Sequence, residues 1–233
     1  MNNTQQIHRD FKALYGKLLI PQGFVFKKNA FYRRHADDVL LVVSAFLRHP
    51  CFEVTFEVYP FSCAYTAAKE WRALGVDWFM ANRAKRRGEI YERRPQDPYA
   101  VKMERMFHAF SAAIFPEFNK VVSLDTYMAY DEWFSSSVGW PEDIISDIWV
   151  SLQRKDYSAA YKYIRRYLDD NAQRYAERRA DGNRASYTKE YEFWMEIANK
   201  LSRLCYSEID RYTQERVDVT SDTCKRLGIV SLG

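Results

Sequence analysis

The sequence predicts an α+β fold, and three observations carry that prediction. Apolar residues recur at helical spacing over residues 3–19. Residues 24–60 hold four short segments of strand-type composition separated by turn residues. From about residue 98 the helical period dominates. The expected architecture is an N-terminal helix plus a four-stranded antiparallel meander, followed by a largely helical C-terminal half. Residues 1–62 form the helix and sheet in this scheme. Residues 63–134 are a mixed, mainly helical segment packing on the sheet. Residues 140–233 are a helical hairpin and a long C-terminal helix.

In the first helix Ile7, Phe11, Leu14, Tyr15, Leu18 and Leu19 form the apolar stripe. Asn3 and Gln6 have capping spacing at its start, and Pro21 and Gly23 punctuate its end. The strands are expected at 24–28, 31–35, 39–48 and 52–59, with tight turns at Asn29-Ala30 and Asp37-Asp38. Residues 39–48 are nearly all apolar, which requires cover on both faces. Residues 52–59 alternate, with Phe52, Val54, Phe56 and Val58 against Glu53, Thr55, Glu57 and Tyr59, which predicts one polar or wet face.

Beyond the sheet, a short helix is expected around 66–74 and a charged connection over 82–97. Helical spacing resumes at 98–114 and 121–134, and "SSSVG" at 135–139 is the linker candidate. Residues 141–153 and 157–178 predict a helical hairpin across "RKDY". Tyr157, Ala160, Tyr161, Ile164, Leu168 and Tyr175 share its second stripe. "LQRKDYSAAYKYI" is similar to the helix-turn-helix of tetratricopeptide repeats, with no second copy at the expected period of about 34 residues. One long helix is expected from about 187 to 216, seamed by Trp194, Ile197, Leu201 and Leu204. Trp133, Trp140 and Trp149 flank the linker and are assigned to helix docking.

The 233 residues carry 35 Lys and Arg against 31 Asp and Glu, a net charge of +4 with the signs interspersed. That balance neither requires nor excludes an anionic partner. Cys51, Cys63, Cys205 and Cys224 form no C-x-x-C pair and sit at no zinc spacing, so free thiols in a cytoplasmic protein are expected. No apolar run reaches the ~18 residues of a membrane span, so no membrane partner is expected.

Known chemistries find no constellation here. His8, His35, His49 and His108 form neither H-E-x-x-H nor H-x-E, and no Gly-rich phosphate loop or G-x-S-x-G exists. Glu53 and Glu57 share a strand face, but four residues of strand separate them by roughly 13 Å, beyond a glycosidase pair. No catalytic residue, metal or cofactor is therefore assigned, and the expectation leans away from an enzyme. An enzyme whose site assembles only in three dimensions is kept as an alternative. If binding occurs near the sheet, Tyr32, Arg34, Glu53, Glu57 and Tyr59 are the candidates. Arg83, Lys85, Arg86, Arg87, Arg93 and Arg94, with Tyr91 among them, are the alternative candidates for nucleic acid. A solvated connection is the default for that segment.

"FKALYGKLLIPQGFVFKKNAFYRR", "DDVLLVV" and "FEVTFEVYPF" together resemble the bacterial family called domain of unknown function 4304. The matching positions are Leu19, Pro21, Gly23, Phe24, Lys27, Lys28, Phe31, Tyr32, Arg33, Tyr59 and Pro60. The resemblance covers about the first quarter of the chain. It implies a bacterial α+β domain without an established activity, and some small families of this type look like immunity proteins. The expected function is a non-catalytic interaction module whose partner is another protein.

Overall fold

The computed structural model describes residues 3–36, 38–48, 51–63, 87–92, 98–138, 144–180 and 186–232. The chain divides into two compact units, residues 1–140 with 219–233, and residues 141–218.

The first unit begins with helix α1, Asn3–Leu19, at the bounds its apolar stripe defines. Gln6 donates to Asp10, at 2.7 Å, along the helix. The helix ends through a tight turn, Ile20–Gln22, and Gly23 at φ 85°. Gly23 N–H reaches Ile20 O at 3.0 Å and Phe24 N–H reaches Leu19 O at 3.1 Å. This paired closure needs a left-handed residue, which glycine adopts without a Cβ penalty.

Strands β1 (Val25–Lys27), β2 (Ala30–His35), β3 (Val39–Arg48) and β4 (Cys51–Pro60) follow in antiparallel order, as the alternation predicts. The first turn sits one residue earlier than expected, on Lys28 and Asn29, both at positive φ. Two further strands extend the sheet. Strand β5, Arg87–Glu92, pairs antiparallel with β4, so these residues are sheet rather than charged connection. Ile90 and Tyr91 supply strand propensity that the surrounding cations mask in a composition reading. Strand β6, Ser231–Leu232, pairs parallel with β2 at Arg34 and His35, beyond the stretch that β1 covers. A pairing across almost the whole chain leaves no local signal.

One face of the sheet is aromatic. Phe31, Val43 and Phe56 stand in one register row. Phe11 packs on Phe31 at 5.4 Å, and Phe110 and Phe118 pack on Phe56 at 5.8 and 6.2 Å. Helix α2 (Tyr99–Ala109), a π-helical turn (Phe110–Ile114) and short α3 (Phe115–Phe118) deliver those rings. Helix α4, Leu124–Val138, takes in four residues of the expected linker. Buried Tyr127 and Tyr130 hold it, and serine costs a helix only a fraction of a kcal/mol.

The second unit is helical: α5 (Ile144–Gln153), α6 (Tyr157–Ala180), α7 (Ser186–Ser202) and the first part of α8 (Tyr206–Arg226). The expected hairpin is α5 and α6. The expected single long helix is instead two, α7 and α8, broken at Arg203–Cys205. Trp149, Phe193 and Trp194 form the aromatic centre, with Trp149 and Trp194 centroids 5.1 Å apart. The Arg216 guanidinium lies 3.8 Å over the Trp149 ring.

Candidate functional site

The expected sheet candidates gather on the second face of the sheet. Register places Tyr32, Val42 and Glu57 in one row and Arg34, Leu40 and Tyr59 in the next. Ser44 and Thr55 form a third pair, their hydroxyls 2.7 Å apart. Tyr59 donates to Glu57 Oε2 at 2.6 Å. Glu53 continues the same alternation, but its side chain lies outside the described residues.

This face is polar but not wet. Every residue from Val54 to Pro60 is buried, and Glu57 is 0% exposed. The end of α8 and the chain after it supply cover. Arg34 Nη2 donates to Ser221 Oγ at 2.9 Å, and its Nε donates to Ala36 O at 2.8 Å. Thr220 donates to Phe61 O at 2.9 Å, and Ala36 N–H donates to Ser231 Oγ at 3.0 Å. Burial, and then the charges of Glu57 and the Cys224 thiol, push the Tyr32 hydroxyl above its ordinary range. Arg34 thus ties this face to α8, and Tyr59 and Glu57 are bonded to each other within it.

The neighbouring cation Arg33 points to the aromatic face. It donates to Gln22 O at 3.3 Å, to Asn119 O at 2.9 Å and to the Asn119 side chain, and it lies 4.7 Å over Phe24. It fastens the α1 exit to the end of α3. Of the nucleic-acid candidates, Arg87 opens β5, while Arg83, Lys85, Arg86, Arg93 and Arg94 lie outside the described residues.

A more accessible arrangement occurs in the second unit, where the sequence contains a repeat that a search at about 34 residues misses. "LQRKDYSAAYKYI" at 152–164 aligns with "LSRLCYSEIDRYT" at 201–213, offset by 49. Leu, Arg, Tyr, Ser and the later Tyr recur at matching places. The backbones repeat as well. Lys155 N–H bonds Leu152 O at 3.0 Å and Asp156 N–H bonds Ser151 O at 2.8 Å. Leu204 N–H bonds Leu201 O at 3.1 Å and Cys205 N–H bonds Lys200 O at 3.0 Å. Lys155 and Leu204 have φ of 60° and 57°. Ile148, Leu152, Ala160, Ile164 and Leu168 are buried, and so are their counterparts Ile197, Leu201, Ile209, Thr213 and Val217. The unit is therefore two tandem helical hairpins of one design.

The hairpins meet through Tyr157 and Tyr206, which are equivalent in the repeat and stack at 4.1 Å and 7°. Tyr157 donates to Asp210 Oδ1 at 2.6 Å, and Lys155 Nζ lies 3.5 Å from Asp210 Oδ2. Partial burial, then the bond to Asp210 and its charge, push the Tyr157 hydroxyl up to about 12. Beside this junction lies an open cleft of about 390 Å³. The end of α5, the turn after it and α8 line it. Buried Leu152, Thr213 and Val217 form its floor, and Lys155, Ser207, Asp210 and Arg211 stand higher. None of these four was singled out in the sequence, and the 49-residue repeat is the signal that finds them.

Among the described residues no group of three or more His, Cys, Asp or Glu side chains is placed to hold a metal ion. Among the same residues no helix is long and apolar enough to cross a membrane. Comparison of the chain with protein-family models, curated proteins and solved structures finds no match.

Proposed function

We propose that the protein is a non-catalytic interaction module that docks a partner protein at the junction of the two helical hairpins within residues 141–218. The observation that carries this reading is the tandem hairpin pair with an open cleft at its junction. Stacked helical hairpins present extended surfaces on a rigid frame, which is how helical-repeat proteins bind partners. The cleft has the size and the mixed apolar and polar lining of a recognition site. The buried sheet cluster, by contrast, serves the fold. The resemblance of residues 11–60 to domain of unknown function 4304 supports a bacterial, cytoplasmic setting and an immunity-like role.

Site-specific photo-cross-linking tests this. A photoreactive residue at Ser207, in the cleft, should trap a discrete protein in cells of the source organism. The same residue at exposed Asp169 on α6 should not. Equal trapping at both positions, or at neither, would overturn the proposal.

A further inference from the structure

From the cleft chemistry we infer that the docked partner presents an acidic peptide segment, its carboxylate held by Arg211 and Lys155 and its apolar side chain seated on Leu152 and Val217. This rests on the docking role proposed for the second unit. The lining carries two cations against one carboxylate. That carboxylate, Asp210, is engaged at both oxygens, by Tyr157 at 2.6 Å and Lys155 at 3.5 Å. The Lys155 side chain is 68% exposed, so its ammonium can serve a second acceptor.

Arg211 is exposed and, among the described residues, forms no ion pair. Glu208, one turn before it on the helix, is held by Lys200 at 2.6 Å, and that bond, with a smaller contribution from the Arg211 charge, keeps the Glu208 carboxyl below its usual range. Ser207 lies one helical turn before Arg211 on the same face, and its hydroxyl makes no hydrogen bond among the described residues. A guanidinium, a hydroxyl and an ammonium around one opening match a carboxylate, which accepts several charge-assisted bonds. The floor of Leu152 and Val217 suits a side chain beside that carboxylate. The lining contains no aromatic ring, so a stacked nucleotide base lacks its usual platform.

The test is fluorescence anisotropy on the full chain with a labelled peptide alternating leucine and glutamate. Leucine–glutamine and leucine–lysine peptides are the comparisons, each with a free and an amidated C-terminus. The acidic peptide should bind best and weaken with added salt. Arg211→Glu and Lys155→Glu should each lose about tenfold or more, and Arg211→Lys should keep most of the affinity. Both positions are exposed, and unchanged thermal melts would establish that the variants fold. A gain on freeing the C-terminus assigns the terminal carboxylate, and equal affinities assign side-chain carboxylates. Preference for the lysine peptide, or binding unaltered by Arg211→Glu, overturns the inference. If the acidic peptide fails while Ser207 still traps a partner, the acidic assignment falls and the docking role stands. If both fail, both fall.

Discussion

Lys155 and Leu204 hold the same left-handed backbone position in the equivalent inter-helix turns of the two repeat copies, 49 residues apart. Neither is glycine. Gly23 and Gly228 fill the same position in two other closures of this chain, at φ 85° and 67°. The four closures share one hydrogen-bond pattern, and of the four only the two turns of the hairpin unit place a residue with a Cβ at the left-handed position. Leu204 is also 68% exposed, which removes any packing explanation for an apolar residue there.

Relief of the left-handed penalty at those two turns is the first prediction. Lys155→Gly and Leu204→Gly should each stabilise the protein by about 0.5–1 kcal/mol, because the left-handed penalty exceeds the extra chain entropy of glycine. Gly228→Ala should lose about 1 kcal/mol by the same rule. A Cβ there meets only the tip of Lys27, at 3.7 Å, so the effect is one of backbone. Urea unfolding at neutral pH measures all three.

Arg33 and Lys27 separate structural from solvated cations. Arg33→Met should cost about 2–3 kcal/mol, since it removes charged hydrogen bonds and strands the groups of Gln22 and Asn119 that accept them. Lys27 is exposed, and Lys27→Met should shift stability by no more than about 0.5 kcal/mol. Equal costs in urea unfolding would contradict the assignment of Arg33 as a fastener.

The polar sheet face makes its own prediction. Tyr59→Phe removes a buried donor to the fully buried Glu57 and should cost about 1–3 kcal/mol. Deleting residues 231–233 removes the β6 pairing and the Ser231 bond to Ala36. Hydrogen exchange should then speed up at Arg34, His35 and Ala36 while α6 keeps its protection. Uniform acceleration across both units would contradict this.

His35 gives a pH dependence. Burial, and then the charge of Arg33, push it from 6.5 down to about 4. The unfolded chain binds the proton first as pH falls. The neutral folded form therefore contributes stability that is complete above about pH 6.5 and is lost toward pH 4. His35→Gln should flatten that part of the stability profile. An NMR titration placing His35 at its ordinary value would refute it.

The first sixty residues were legible because their signals are local. The stripe from Ile7 to Leu19 bounds α1, and strict alternation through β4 sets which residues share a face. Alternation does not say what covers a face. Residues near 220 bond Arg34 and Phe61, and no local pattern announces that cover. β5 was hidden by its charges. The α7–α8 break was hidden because Leu204 stands where glycine would have marked it. The cleft residues were missed with the repeat, whose period is longer than the one the motif led us to expect.

A docking site at the junction of the two hairpins should be shielded when its partner binds. Amide hydrogen exchange of the full chain, with and without the protein trapped at Ser207, tests it most directly. Slowed exchange should be confined to the turn after α5 and the first half of α8. Protection elsewhere, with none at those two segments, would contradict it.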